Sequence, residues 1–259
     1  MKKQYNKSEI IEIISRYIRN KDLKNFYKDN CINYTGATKD TKENYSKVIV
    51  DYLVEHIEDF KKGFRNLTIS RERSYKTAGH NGESSFEFEK RPKSERREEK
   101  IAHSMYCQYK DKPTVFGKIL DYQVPLKNTN DNKGLGKIDL LSAMKGEKSG
   151  SKKIYFLELK KDGSKETLLR CILEAYTYSK TINKEKLCND FSLPYKKDEF
   201  IIAPLVHKGD GLETQLEYVR SLIKVLDIPV EIFVWEYKAD KYVIKSLNTL
   251  LNTNNPITK

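Results

Sequence analysis

The amino-acid sequence predicts an α/β fold in which helices cover a mixed central sheet. Two observations lead to this prediction. From Ser94 onward, apolar segments with the two-residue period of strands alternate with segments that have the 3.6-residue period of helices. The order of these segments is helix, three strands, helix, strand, helix and two strands. Such alternation is typical of a sheet whose two faces are both covered.

The chain is predicted to divide into a helical N-terminal region with a basic loop or hairpin (1–90) and the α/β core (91–259). Asn6 and Glu9 have the spacing of a helix cap, and a stripe of apolar residues follows them. A second helix is predicted from Tyr45 to Phe60. The segment 71–93, which holds two glycines among small polar residues, is predicted to be a loop or a short exposed hairpin.

Each element of the core is predicted from its own pattern. The predicted helices are SERREEKIAHSMYCQY, SKETLLRCILEAYTYSKTI and LETQLEYVRSLIKVL. The predicted strands are KILDYQVPL, GKIDLLSA, KKIYFLELKK, EFIIAPLVH and the two strands of VEIFVWEYKADKYVIKSL. A tight turn at Ala239 and Asp240 joins the last two strands.

The net charge of the chain indicates which class of binding partner to expect. Its 259 residues include 49 Lys and Arg against 37 Asp and Glu, which gives a net charge of +12. This balance favours nucleic acid as the partner before an anionic membrane surface, although an ordinary lysine-rich surface has the same balance. No apolar run reaches the roughly 20 residues of a membrane span, and the first residues lack the apolar core of a secretory signal.

The spacing of the cysteines indicates which metal sites and which cellular compartment to expect. They are scattered along the chain, without a C-x-x-C pair or a histidine at ligand spacing, at Cys31, Cys107, Cys171 and Cys188. A zinc ribbon or an iron–sulfur cluster needs clustered thiolates, so neither is expected. Reduced thiols fit a cytoplasmic protein.

One predicted strand carries charged residues at the end of an apolar run. Glu158 and Lys160 share a face of the strand because they are two residues apart, and burying an unpaired charge is costly. If this strand pairs with the preceding one as a hairpin, Asp139 stands beside Glu158. Two neighbouring carboxylates repel each other, and a divalent cation turns that repulsion into coordination. Oxygen ligands favour magnesium or manganese, which can activate water and stabilise charge on a phosphate.

The segment GKIDLL, with Asp139, and the segment LELK, with Glu158 and Lys160, resemble the motif of the PD-(D/E)xK nuclease superfamily. The resemblance implies a restriction-endonuclease-like fold with an αβββαβ core, and it covers a little over a hundred residues from Ser94 to about His207. The chain departs from the motif at Ile138, where the family name places a proline.

The resemblance also implies roles for single residues. Asp139, Glu158 and the backbone carbonyl of Leu159 are expected to bind Mg²⁺ or Mn²⁺. Lys160 is expected to orient or deprotonate the attacking water, or to neutralise the phosphate.

Two further acidic positions follow from the resemblance. Many members have a catalytic glutamate on the first core helix, which corresponds to Glu98 or Glu99, and Glu98 is preferred because of the apolar residues that follow it. Many also have a Q/E-x-x-x-Y signature on the helix after the lysine, which matches Glu174 and Tyr178. Each has a plainer interpretation: acidic residues are favoured in a first helical turn, and Glu174 has the spacing of an ion pair with Arg170.

Basic residues beside the predicted site are candidate contacts for nucleic acid. The candidates are Arg91, Lys93, Arg96 and Arg97. Gln123 is a weaker candidate for the site itself, since strand-end amides commonly bond to the backbone.

The predicted function is that of a magnesium-dependent endonuclease that hydrolyses phosphodiester bonds, in DNA before RNA, with restriction or phage defence as its setting. The alternatives are a nucleic-acid-binding module that has the fold without cleavage, and a structural protein whose charged strand end is an ion-pair network. The expected assembly is a homodimer or a component of a larger defence complex. The strandedness and sequence specificity of the substrate stay open, because one fold serves many functions.

Overall fold

The computed structural model describes residues 4–76, 97–127, 136–195, 198–209 and 211–247. It has an α/β fold with a mixed six-stranded sheet, as predicted. The helices are α1 (Lys7–Arg19), α2 (Leu23–Phe26), α3 (Tyr45–Glu55), α4 (Ile57–Lys62), α5 (Arg97–Tyr109), α6 (Leu168–Thr181), α7 (Lys184–Phe191) and α8 (Leu212–Val225). The strands are β1 (Lys118–Pro125), β2 (Lys137–Lys145), β3 (Lys152–Leu159), β4 (Glu199–His207), β5 (Phe233–Lys238) and β6 (Lys241–Ser246).

The strands lie in the sheet in their order along the chain. β1, β2 and β3 are antiparallel to their neighbours, β3, β4 and β5 are parallel, and β6 is antiparallel to β5. The parallel connections cross over through helices, α6 and α7 before β4 and α8 before β5. Because β2 runs opposite to β3, the start of β2 lies at the edge of the sheet where β3 ends at Leu159 and β4 ends at His207. We call this edge the carboxyl edge.

Apolar clusters cover the two faces of the sheet. On one face α5 contributes Ile101 and Met105, which pack with residues of the strands such as Leu157. On the other face α6, α8 and the helices of the N-terminal region form a larger cluster, in which Leu53 of α3 and Ile172 of α6 are both fully buried. Burial of this apolar surface is the main favourable contribution to folding. The N-terminal region therefore shares its core with the α/β part of the chain.

The start of α6 is fixed by the N-terminal region. The Thr167 side chain caps the helix by accepting a hydrogen bond from the Arg170 N–H at 3.1 Å. The Thr167 hydroxyl donates to the Ile32 carbonyl at 2.8 Å, and the Thr167 N–H donates to the Asn33 side chain at 3.0 Å. Twelve of the fourteen residues of α6 are buried, so the helix is held between the sheet and the N-terminal region, and its side chains have fixed positions.

The structure corrects some details of the sequence predictions. The single helix predicted from Tyr45 to Phe60 is two helices, because His56 has non-helical backbone angles (φ −112°, ψ 28°) that end α3 and precede α4. The helix α7 was not predicted. Most of the loop or hairpin predicted at 71–93 lies outside the described residues. Within the part of the chain that the structure describes, no helix is long and apolar enough to cross a membrane.

Candidate active site

Asp139 and Glu158 lie on neighbouring strands at the carboxyl edge. The pairing of β2 with β3 ends at Leu140 and Leu157, and the next residues towards the edge on the two strands are Asp139 and Glu158. Side chains alternate along a strand, and both carboxylates project from the face that α6 covers. Both are buried, with 9% of Asp139 and 5% of Glu158 exposed. The predicted hairpin thus brings the two carboxylates together.

The Asp139 carboxylate is held by two hydrogen bonds. The Gln123 side-chain amide donates to its Oδ1 at 2.7 Å, and the Leu159 backbone N–H donates to its Oδ2 at 2.9 Å. Gln123 has a φ of +51° within β1, a left-handed conformation that costs of order 1–3 kcal/mol for a residue other than glycine and that is concentrated at functional sites. Gln123, the weaker candidate from the sequence, is therefore a direct partner of Asp139.

The ammonium of Lys160 lies among three carboxylates. Its Nζ is 2.8 Å from Glu158 Oε1, 2.7 Å from Glu166 Oε2 and 3.2 Å from Glu174 Oε2. The backbone of this residue is fixed as well, because its N–H donates to the Leu205 carbonyl at 2.9 Å. The Lys160 side chain is only 7% exposed to solvent. Lys160 is therefore a buried, positioned cation at the end of β3.

Glu174 of α6 reaches the site from the helix that covers the sheet. The Tyr178 hydroxyl donates to its Oε1 at 2.7 Å, one helical turn away, and Arg170 Nε lies 3.9 Å from its Oε2. The hydroxyl of Tyr27, from the N-terminal region, lies 3.3 Å from the Tyr178 hydroxyl. Since the one proton of Tyr178 is given to Glu174, Tyr27 must be the donor in this pair. A chain of hydrogen bonds therefore joins the N-terminal region to Lys160.

The charges of this cluster perturb the pKa values of its members. Burial raises the pKa of Asp139 to about 7, against the opposing effects of Lys160 and the Leu159 N–H. Burial and the charge of Glu174 raise the pKa of Glu158 well above its usual value. Burial alone would lower the pKa of Lys160, but the charges of Glu158 and Glu174 outweigh it and raise that pKa. The cluster thus holds more acidic groups than its cations can neutralise.

Of the two candidate glutamates on α5, Glu98 lies at the site. Glu98 Oε1 accepts a hydrogen bond from the Lys161 backbone N–H at 3.2 Å, directly after Lys160 in the chain, and its charge contributes to the raised pKa of Asp139. Arg97, the residue before Glu98 in the chain, forms an exposed ion pair of 2.8 Å with Asp162. The other three candidate contacts for nucleic acid, Arg91, Lys93 and Arg96, lie outside the described residues.

A cavity of about 250 Å³ adjoins Lys160 at the carboxyl edge. Its polar lining includes Lys161, Ser164, Glu166, His207 and Gln215. It leaves room beside the charged cluster for a small group such as a phosphate with its water.

The acidic side chains at the carboxyl edge could hold a hard cation such as magnesium, because their negative charge is in excess and one buried carboxylate oxygen does not contact Lys160. Glu158 contacts Lys160 through Oε1, which leaves its buried Oε2 without a cationic partner among the described residues, and a carboxylate oxygen in a site rich in acidic groups is a suitable ligand for magnesium. Leu159 donates its N–H towards β2, and in an extended strand its carbonyl projects to the same side. Among the described residues, however, no three His, Cys, Asp or Glu side chains form a ready group of ligands. A cation would have to compete with Gln123 for Asp139 and with Lys160 for Glu158.

Two residues of the site were not predicted. Glu166 precedes the helix α6 and forms an ion pair of 3.2 Å with Arg170 as well as its contact with Lys160. Its signal was the four-residue spacing from Glu166 to Arg170, which continues the spacing of Arg170 and Glu174 on α6 back across the start of the helix. Tyr27 had no such signal, because it is 151 residues away from its partner Tyr178.

Comparisons of the chain with protein-family models, with curated proteins and with solved structures found no match. The interpretation of the site therefore rests on its geometry and chemistry and on the resemblance of its sequence motif.

Proposed function

We propose that this chain is a metal-dependent phosphodiester hydrolase, an endonuclease of the PD-(D/E)xK type with a restriction-endonuclease-like core, and that DNA is its substrate. The observation that supports the proposal most strongly is the meeting of Asp139, Glu158 and Lys160 at one edge of the sheet. A buried lysine next to two carboxylates of raised pKa is an expensive arrangement.

In this proposal Asp139, Glu158 and the Leu159 carbonyl hold Mg²⁺ or Mn²⁺. The bound metal supplies an activated water and stabilises the charge that develops on the phosphate. Gln123 and the Leu159 N–H orient the Asp139 carboxylate. Glu98 fixes the backbone after Lys160 through its contact with the Lys161 N–H.

The role of Lys160 in the proposal is electrostatic. Because the neighbouring carboxylates raise its pKa, the side chain stays protonated at neutral pH and cannot take a proton from water. Among the roles open from the sequence, orientation of the water and neutralisation of the phosphate fit this state. Glu166 and Glu174 hold the ammonium from the side of α6. Arg170 and Tyr178 in turn hold those two carboxylates.

A second candidate is a nucleic-acid-binding module that does not cleave. It is favoured by the engagement of both Asp139 oxygens in hydrogen bonds and by the lack of a ready ligand group in the described ranges. The net charge of +12 supports binding of nucleic acid in either case. Restriction or phage defence, and a dimer or larger complex, follow from the resemblance alone and are part of the same proposal.

The test is an assay of the purified protein on end-labelled single-stranded and double-stranded DNA and RNA. Each substrate is incubated with Mg²⁺, with Mn²⁺ and with EDTA. The proposal expects cleavage of DNA that EDTA abolishes. Binding of the same substrates without any cleavage would favour the module instead.

A further inference from the structure

The hairpin of β5 and β6 has one face on the same side of the sheet as the candidate site. Val206 of β4 is paired with Val234 of β5, and both belong to the apolar cluster on the face that α6 covers. Lys245 of β6 is paired with Val234 and therefore projects from that face as well. The Lys160 ammonium is on this side too, since it contacts Glu174 of α6. Three strand spacings, about 14 Å in all, separate β3 from β6.

Three further lysines project from the same face of the hairpin and of the end of β4. Lys208 and Lys238 are an even number of residues after the two paired valines, so alternation places them on this face. Lys241 is paired with Lys238 across the hairpin. Lys208, Glu236 and Lys245 line one small depression, which agrees with this placement. The four lysines are exposed, and we call them the lysine face: Lys208, Lys238, Lys241 and Lys245.

Acidic groups do not balance the charge of the lysine face. Glu236 is paired with Lys238 at 2.9 Å, and this hydrogen bond, together with the charges of Lys208 and Lys245, lowers the pKa of Glu236. In the part of the chain that the structure describes, no carboxylate forms an ion pair with the other three lysines. Lys238 and Lys241 stand directly opposite each other, and like charges in that position destabilise a strand pair. An anionic partner would offset this repulsion.

The lysine face has cations and no groups on which bases could stack. The aromatic rings of the hairpin project from the opposite face, where Tyr242 lies against Trp235 and Tyr237. Binding of single strands depends on such rings as well as on charge. Duplex DNA presents one negative charge per about 1.7 Å of its axis, and it is bound through these phosphates. The lysine face therefore fits the backbone of a duplex.

We propose that the lysine face binds the phosphate backbone of double-stranded DNA next to the candidate site. This deepens the proposed function, because it assigns a surface that holds the substrate, and it rests on that function for the choice of DNA. Binding itself needs no metal, so it can be measured separately from cleavage.

The test is fluorescence anisotropy with a labelled DNA duplex in EDTA, measured over a series of salt concentrations. Changing all four lysines of the lysine face to glutamine should weaken binding by about 100-fold or more. It should also make the slope of log affinity against log salt concentration shallower by roughly 3 to 4, because each phosphate contact contributes about 0.9. The variant should melt at the wild-type temperature or above it, since the repulsion between Lys238 and Lys241 is lost.

A variant with the same change of charge is the matched control. It replaces with glutamine four exposed lysines at the opposite edge of the sheet, at the start of β1, at the end of β2 and in the adjoining loops: Lys112, Lys118, Lys145 and Lys148. Both variants lower the net charge of +12 by four, so a difference between them must come from the position of the lysines. The control should keep an affinity and a salt slope close to those of wild type.

Three results would overturn the proposal: equal losses of binding in the two variants, unchanged binding by the lysine-face variant, or wild-type protein that binds no duplex. Unchanged binding with increased aggregation would show that the lysines only protect the edge of β6. Loss of binding to phosphatidylserine vesicles, with duplex binding unchanged, would assign the face to a membrane surface instead.

Single-turnover cleavage with magnesium separates this proposal from the proposed function. Cleavage by wild type together with unchanged binding by the lysine-face variant would overturn the face alone. Weaker and less salt-dependent binding by that variant, in a protein that cleaves no DNA, would support the face and overturn the endonuclease.

Discussion

The Tyr178 hydroxyl donates a hydrogen bond of 2.7 Å to the Glu174 carboxylate, and this contact links the candidate site to the N-terminal region. Tyr178 is the only route by which Tyr27 reaches Glu174 through hydrogen bonds between described residues. Glu174 in turn contacts Lys160. A region that the resemblance left without a role therefore supports the position of the site's cation.

Replacing Tyr27 by phenylalanine should slow cleavage a few-fold. The change removes one buried hydrogen bond, worth about 1 kcal/mol, and weakens the hold of Tyr178 on Glu174. Single-turnover cleavage rates and melting temperatures measure the two effects. Tyr17→Phe is the control, because Tyr17 belongs to the same region but its hydroxyl donates to Asp29 at 3.1 Å. Equal effects of the two variants on cleavage would show that Tyr27 has no link to the site.

Replacing Lys160 by methionine should lower the cleavage rate by about 100-fold or more, as for other positioned groups that stabilise developing charge. Stabilisation by magnesium should persist or grow, because the buried carboxylates lose their cation. Lys160→Arg should not restore the rate, since the planar guanidinium does not fit the position of an ammonium. Cleavage rates and magnesium titrations of the melting temperature test this together. Loss of metal binding along with activity would make Lys160 a structural partner of Glu158.

The stability of the metal-free protein should depend on the ionisation of Asp139. Its pKa is about 7 in the folded protein, above the ordinary value near 3.9 in the unfolded chain. A raised pKa stabilises the fold below pH 4, and this contribution is lost as the pH rises from 4 through 7, on the order of 4 kcal/mol in all. In EDTA, wild type should therefore lose more stability between pH 4.5 and 7.5 than Asp139→Asn, whose side chain cannot ionise. Parallel profiles for the two proteins would contradict the raised pKa.

A side chain at position 136 should lower the stability of the fold. A Cβ at this position would lie 1.8 Å from the Tyr178 hydroxyl and 2.5 Å from its ring. Gly136→Ala should therefore cost about 1–3 kcal/mol, as overpacking does, and should disturb the contact of Tyr178 with Glu174. Gly209→Ala is a suitable control, because the nearest atom to its Cβ would be 4.0 Å away. Equal unfolding free energies for the two variants would show that β2 shifts freely at this point.

The sequence predicts the parts of the site that depend on local periodicity. The two-residue period fixes which face of β3 carries Glu158 and Lys160, and the antiparallel pairing of β2 with β3 then brings Asp139 beside them. The four-residue spacing on α6 accounts for Glu174 and Tyr178. These relationships involve one strand pair and one helix, whose geometry is regular.

The remaining parts depend on contacts that no local pattern encodes. Tyr27 meets Tyr178 only after the N-terminal region has packed on α6, and Gln123 reaches Asp139 from a residue with left-handed backbone angles inside a strand. The break between α3 and α4 at His56 falls within a continuous apolar stripe. Tertiary packing decides these features, and it overrides the preferences of single residues.

The central claim is that Asp139 and Glu158 hold the metal that cleavage requires. It is tested most directly by single-turnover cleavage of end-labelled DNA, with and without magnesium, by wild type, Asp139→Ala and Glu158→Ala. Glu147→Ala serves as the control, because its side chain is 86% exposed at the opposite edge of the sheet. The proposal predicts that the control cleaves like wild type and that both site variants fall to the level seen with EDTA while remaining folded. Near-normal, magnesium-dependent cleavage by either folded site variant would contradict it.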